Sequence, residues 1–135
     1  MRTLPQWFGL EQSLVDYAQG ARTLPTLLAR EGSRDVGFLT LKPQTAAAFE
    51  ILAMGVIPDR QRCGIGKALV EAALRYTLDG GARLLEVKTL GPSHPSENYA
   101  RTRAFYESLG FIPMEETTAF WGDANPCLIL VKPLP

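Results

Sequence analysis

Seven consecutive residues, Gln61-Arg62-Cys63-Gly64-Ile65-Gly66-Lys67, have the composition of a main-chain cradle for an anion. They follow an apolar run that ends at Val56-Ile57 and open a stretch whose apolar members, Ile65, Ala68, Leu69, Ala72, Ala73 and Tyr76, recur at helical spacing. The first N–H groups of such a helix have no partner within it, and the helix dipole places partial positive charge where they point. Gly64 and Gly66 lack a β-carbon, so a diphosphate can approach the backbone closely, while Gln61, Arg62 and Lys67 add side-chain donors around it. An ordinary strand-to-helix turn with a solvated basic rim is the alternative, and the fragment alone leaves both open. Two other phosphate turns are excluded. Ala68 stands where a P-loop needs the Ser or Thr that reaches magnesium, and Leu69 stands where a dinucleotide turn needs its third glycine.

Two further side chains are candidates for proton chemistry. Glu50 is the one carboxylate between Ala47 and Val56. An unpaired charge buried in such a strand is strongly unfavourable, so Glu50 either opens onto a cleft or sits at an exposed strand start beside a Lys or Arg. Tyr106 lies on the apolar side of a helical pattern, where most aromatics pack in the core. His94 sits in a turn-rich loop, Gly91-Pro92-Ser93-His94-Pro95-Ser96-Glu97, as a substrate contact or a solvated residue. Cys63 and Cys127 lack metal-ligand spacing, and with one histidine in the chain a zinc site is short of ligands; no metal is expected.

The elements that must position these groups follow from periodicity and turn residues. The 135 residues fit one domain, read as 1–135, with 46% hydrophobic and 21% charged residues as in ordinary globular proteins. A short helical pattern lies between Gly9 and Gly20, with Leu10, Leu14, Val15 and Ala18 on one face, so any first strand around Trp7-Phe8 is absent or very short. Leu24 to Ala29 and Val36 to Leu41 read as a hairpin. Ala47 to Val56 reads as a strand covered on both faces. A helix from Gly64 to Asp79 stops at Gly80-Gly81, and Arg83 to Thr89 returns as a strand, which implies a right-handed crossover and a parallel pair. A second helix from about Tyr99 to Leu109 stops at Gly110, before strands from Phe111 to Phe120 and Pro126 to Val131. The fold class is α/β, a central mixed β-sheet flanked by helices.

Fourteen basic residues balance fourteen acidic ones, which argues against a nucleic-acid partner held by bulk charge. The N-terminal residues lack the apolar core of a signal peptide and no apolar run approaches the ~20 residues that cross a bilayer, so no membrane association is expected. With two thiols and no disulfide pattern, the chain reads as cytoplasmic.

Gln61-Arg62-Cys63-Gly64-Ile65-Gly66 resembles the Q/R-x-x-G-x-G/A signature of the GNAT acyltransferase superfamily. Ala104-Phe105-Tyr106-Glu107-Ser108-Leu109-Gly110-Phe111 is similar to its second signature, Y-E-x-L-G-F at a helix end. The two stand in the family's order, about forty residues apart. The resemblance is firm from Phe49 to Phe111 and implies the GNAT acyl-CoA N-acyltransferase fold. It implies an N-acetyltransferase using acetyl-coenzyme A (acetyl-CoA), without a metal, by direct attack of a primary amine of a small molecule or protein in a ternary complex.

The resemblance also implies site roles. The diphosphate lies on the backbone of Arg62, Cys63, Gly64, Ile65, Gly66 and Lys67 with the Gln61 side chain. The pantetheine arm enters a splay between strands and pairs with main chain at Met54, Gly55 and Val56. Tyr106 is the general acid beside the sulfur, and Glu50, eleven residues before Gln61, is the general base, directly or through water. The asparagine that many members carry seven residues before the tyrosine is displaced here: Tyr99 holds that place and Asn98 precedes it, so either is a candidate for the cofactor arm. Cys63 beside the turn is not needed as a nucleophile. The acceptor pocket is expected around Trp7 to Gly20, Gly91 to Glu97 and Glu115 to Asn125, with Glu115 and Glu116 able to attract a cationic amine. Phe120 and Trp121 are candidate contacts of a homodimer. A CoA-binding regulatory module without catalysis is the alternative; it would need neither Tyr106 nor Glu50.

Overall fold

The structure, a computed structural model, describes residues 8–17, 22–61 and 63–135, with side chains from Leu24 onward apart from Arg62. Seven strands form one mixed sheet: β1 (Phe8–Tyr17), β2 (Arg22–Glu31), β3 (Arg34–Thr45), β4 (Ala48–Val56), β5 (Leu84–Leu90), β6 (Ile112–Thr117) and β7 (Cys127–Pro133). Their order across the sheet is β1-β2-β3-β4-β5-β7-β6, and β4–β5 is its parallel pair. Two helices, α1 (Ile65–Asp79) and α2 (Glu97–Ser108), precede and follow β5.

The stretch between Gly9 and Gly20 corrects the sequence reading. Residues 8–17 form a strand rather than a helix, paired antiparallel with β2 along its whole length from Phe8↔Glu31 to Tyr17↔Arg22. Over ten residues the apolar positions do not settle the period, since Phe8, Leu10 and Leu14 share one strand parity and Val15 and Tyr17 the other, and pairing with β2 decides the outcome. A first strand is therefore present, and the pocket wall expected from an N-terminal helix is a strand over those residues. Ala18–Gly20 and Trp7 lie outside the described residues.

The hairpin forms as expected, with Gly32-Ser33 as its turn. The helix after the glycine turn buries Ile65, Ala68, Leu69, Val70, Ala73 and Thr77, and together with Leu39, Leu41, Ile51, Leu85 and Leu130 they form the core between sheet and helices. The second helix begins two residues earlier than its apolar pattern suggests, because Ser96 Oγ accepts from Tyr99 N at 3.3 Å and caps it. The strand after it ends at Thr117 rather than Phe120, where Thr117 Oγ1 accepts from Ala119 N and starts a turn.

The strand from Ala48 to Val56 is not covered on both faces. Leu52, which has no partner where the β3–β4 register shifts, is 42% exposed, and Ala53 is exposed with it. Both described helices lie on one face of the sheet: a β-carbon added at Gly66 in α1 would meet the Phe105 ring of α2 at 3.3 Å and the Met54 methyl of β4 at 3.7 Å. Glu50 and its polar partners occupy the other face.

Candidate active site

The turn into α1 is held from behind. Ile57 N donates to Val36 O at 2.9 Å, Arg60 ion-pairs with Glu31, and Arg34 reaches Asp59 at 3.0 Å, so three contacts pin the 3-10 turn Pro58–Arg60 against the β2–β3 hairpin. Gly64 caps α1 in the left-handed region (φ 84°), which a side chain would strain, and it supplies no side-chain hydrogen bond to the helix. No acidic residue stands in the first turn. The leading N–H groups of Ile65, Gly66 and Lys67 are thus left for an outside acceptor, and Lys67 has no carboxylate partner among the described residues. Cys63 is half-buried with its Sγ 3.6 Å from Gln61 O. Arg62 lies outside the described residues.

Gln61 Nε2 donates to Val56 O at 3.1 Å, an exposed contact that closes the strand-to-turn corner.

Parallel pairing between β4 and β5 runs only from Ala48↔Leu84 to Ile51↔Val87. Beyond that point the strands part, although β4 continues to Val56 and β5 to Leu90. Met54, Gly55 and Val56 keep their antiparallel partners Leu39, Phe38 and Gly37 on β3, and their other edge faces the opening. Apart from Val56 O, which accepts from Gln61 Nε2, backbone groups on that edge can pair with an extended amide-bearing chain.

Tyr106 is 5% exposed, its ring set edge-on between Phe105 (5.1 Å between centroids) and Phe111 (5.4 Å). Burial raises its pKa from 10.0 to about 12. No hydrogen bond to its hydroxyl occurs among the described residues. The ring packs as a core residue while the phenol stays protonated and uncommitted. Because Phe105 lies against Gly66, the glycine turn and this phenol belong to one neighbourhood.

Glu50 is 6% exposed and ion-paired, so the basic partner of the second sequence reading is present without the exposure that reading assumed. Lys88 Nζ donates to its Oε2 at 2.9 Å and lies 3.6 Å from Glu86 Oε1. Gln44 Nε2 donates to Glu86 Oε1 at 2.6 Å and to Glu50 Oε1 at 3.4 Å. Burial works against the Lys88 ammonium, but the hydrogen bond and charge of Glu50, with the charge of Glu86, outweigh it and raise its pKa above 10.5. Cys127, also in this cluster, has its thiol pushed up, chiefly by burial, and stays protonated.

Lys88 also lines a cavity of about 580 Å³ with Thr89, Leu90, His94, Tyr99, Trp121 and Asn125. His94 is shared with a second cavity of about 430 Å³ that reaches Glu116 and Asp123. The loop carrying His94 is tied down by Glu116, whose carboxylate accepts from Ser93 N at 3.0 Å and Ser93 Oγ at 2.9 Å. His94 Nδ1 is buried without a partner. Lys88 Nζ lies 5.3 Å from the Phe120 ring centroid, and Trp121 lines the cavity. Asn98 is exposed and hydrogen-bonded to Arg101, whereas Tyr99 lines the cavity.

Sequence reasoning missed Lys88, Glu86 and Gln44. The signal was present in Leu84-Leu85-Glu86-Val87-Lys88, two opposite charges at period two on an otherwise apolar strand, which puts both on one face.

The described residues thus combine an open helix N-terminus, strands β4 and β5 that part beyond Ile51↔Val87, a buried phenol and a buried, paired carboxylate. The family model for the acetyltransferase (GNAT) domain matches residues 23–113. The chain belongs to that family. Mycothiol acetyltransferase of Beutenbergia cavernae is 36% identical over 71% of this chain, which spans about a third (36%) of that relative's length. A solved GNAT-family acetyltransferase from Elizabethkingia anophelis with acetyl-CoA bound superposes with a TM-score of 0.77 at 14% identity, covering 96% of this chain and all (100%) of the other. A protein from Desulfovibrio desulfuricans, described as of the GNAT family, is 27% identical with a TM-score of 0.75, covering 83% of this chain and 70% of the other.

Proposed function

We propose that this chain transfers an acetyl group from acetyl-CoA to a primary amine held in the cavity beside Lys88. The observation that carries the reading is the juxtaposition of an uncapped helix N-terminus, opened by Gly64, with the β4–β5 splay. Acetyl-CoA, when bound, supplies an activated thioester. The N–H groups of Ile65, Gly66 and Lys67 hold its diphosphate, and the free edge at Met54–Val56 orients its amide-bearing arm. Tyr106 keeps its proton across the working pH range and delivers it to the departing sulfur. Glu50 takes the proton of the acceptor ammonium, directly or through a water. A reducing, cytoplasmic setting suits the two free thiols, Cys63 and Cys127.

Acceptors are tested by thiol release from acetyl-CoA against 1,5-diaminopentane, an aminoglycoside, a peptide with a free N-terminus, and an N-blocked peptide containing lysine. Turnover of at least one, abolished or cut at least tenfold by Glu50→Gln, is the expected outcome. CoA binding by calorimetry with no turnover of any amine would replace this reading with a binding module.

A further inference from the structure

Glu50 is built into a network that its neighbours control. In the parallel register Glu50 stands directly beside Glu86, and the period of two puts Lys88 on the same face. Two carboxylates therefore share one ammonium: Lys88 Nζ lies 2.9 Å from Glu50 Oε2 and 3.6 Å from Glu86 Oε1, with side-chain exposures of 20%, 8% and 16% for Lys88, Glu50 and Glu86. The other groups facing Glu50 do not compensate its charge. Gln44 on β3 is neutral, Cys127 on β7 is a protonated thiol, and Lys42, opposite Glu50 across β3–β4, makes no ion pair with it among the described residues. The Phe120 ring covers the ammonium from the loop side.

Place in the fold gives this network a use. Parallel pairing ends at Ile51↔Val87, one residue beyond Glu50 and one before Lys88, so the ion pair sits where the splay opens. Lys88 is also part of the cavity wall. We propose that Lys88 is the positioning residue of the general base: it holds Glu50 ionised against the repulsion of Glu86 and fixes the carboxylate at the mouth of the splay. The inference rests on the reading of Glu50 as the base. Lys88 is the cation that contacts both carboxylates among the described residues, so its removal leaves the charge of Glu86 beside Glu50 without a counter-ion and the base is lost at a pH where the native enzyme still works. Lys88 takes no proton in the reaction and touches no reacting atom.

The test titrates Glu50 itself, by the carboxyl ¹³C resonance that disappears in Glu50→Gln, in the full chain without ligand. In Lys88→Met the midpoint of Glu50 should rise by about one pH unit or more, and in Lys88→Arg it should stay near the native value. Glu86→Gln, a nearly isosteric change that keeps the cation, should lower it, and this arm survives even if Lys88→Met does not fold. The acid limb of kcat/KM, measured with whichever of the four amine probes is turned over, should move with the midpoint in each variant. An unmoved midpoint in folded Lys88→Met or in Glu86→Gln overturns the inference. If Glu50→Gln leaves kcat intact, the base reading itself fails; if Glu50→Gln is impaired while the Lys88 variants keep the native acid limb, only the Lys88 inference fails.

Discussion

Tyr106 combines two demands that usually exclude each other: a ring packed in the core and a hydroxyl left without a partner. Burial favours the uncharged phenol, which raises its pKa to about 12 and keeps a proton available for the sulfur. Tyr106→Phe retains the edge-on contacts with Phe105 and Phe111 and removes the proton. Steady-state kinetics should show kcat lowered by a factor of about ten to a thousand with the KM for acetyl-CoA within about threefold of the native value. An equal fall in cofactor affinity would mean that the residue only packs. The second signature motif singles out this tyrosine as the acid, whereas the helical pattern alone points to the core, and the packing of its ring bears out the second. For Glu50 the apolar run marked a misplaced charge; its solution, an ammonium two strand positions past Glu86, required the parallel register.

At the scale of elements, the glycine turn works because the α1 N-terminus is open and braced. The brace comes from the β2–β3 hairpin through Glu31–Arg60 and Arg34–Asp59, pairs that link residues distant in sequence. Gly66→Ala tests the turn without disturbing the brace. The added methyl meets the Phe105 ring at 3.3 Å and occupies the approach of a diphosphate to the backbone. The KM for acetyl-CoA should rise about tenfold, whereas denaturant stability should change by less than about 1 kcal/mol, since alanine's helix propensity offsets the tight contact. A loss of stability with unchanged KM would sink the assignment. This turn was legible because its conformation lies in local backbone geometry, which glycine spacing encodes directly. The first strand was not, because its ten residues carry no clean alternation and are decided by the partner edge they meet.

At the scale of the whole molecule, one core between the sheet and two helices supports everything above. Leu69 on α1 is fully buried in it, so Leu69→Ala should destabilise the fold by ~2–5 kcal/mol in urea titration and weaken cofactor binding only as far as α1 shifts. Alkaline pH should expose a second dependence. Tyr106 has a folded pKa of about 12 against 10.0 for the free group, so its contribution is complete below pH 10 and is lost as pH rises from 10 through 12. Lys88, raised above 10.5 by its carboxylate partners against the opposing effect of burial, adds a loss of the same sign in that range. Equilibrium unfolding between pH 8 and about 12 should show this decline, and Tyr106→Phe should flatten part of it.

The amino-acid order alone determined the α/β class, the strand–helix–strand crossover and the glycine turn that opens α1, because each depends on periodicities and turn types confined to a few neighbouring positions; the nomination of Tyr106 and Glu50 for proton transfer came from the resemblance to the GNAT signatures. Tertiary structure decided what those nominations mean. Where β4 and β5 stop pairing sets the opening, which register aligns Glu50 with Glu86 sets the charge that Lys88 balances, and where Tyr99 and Trp121 meet Lys88 shapes the cavity beside it. These are relations between strands separated by a helix in sequence, and no local pattern carries the distance at which two strands come to rest.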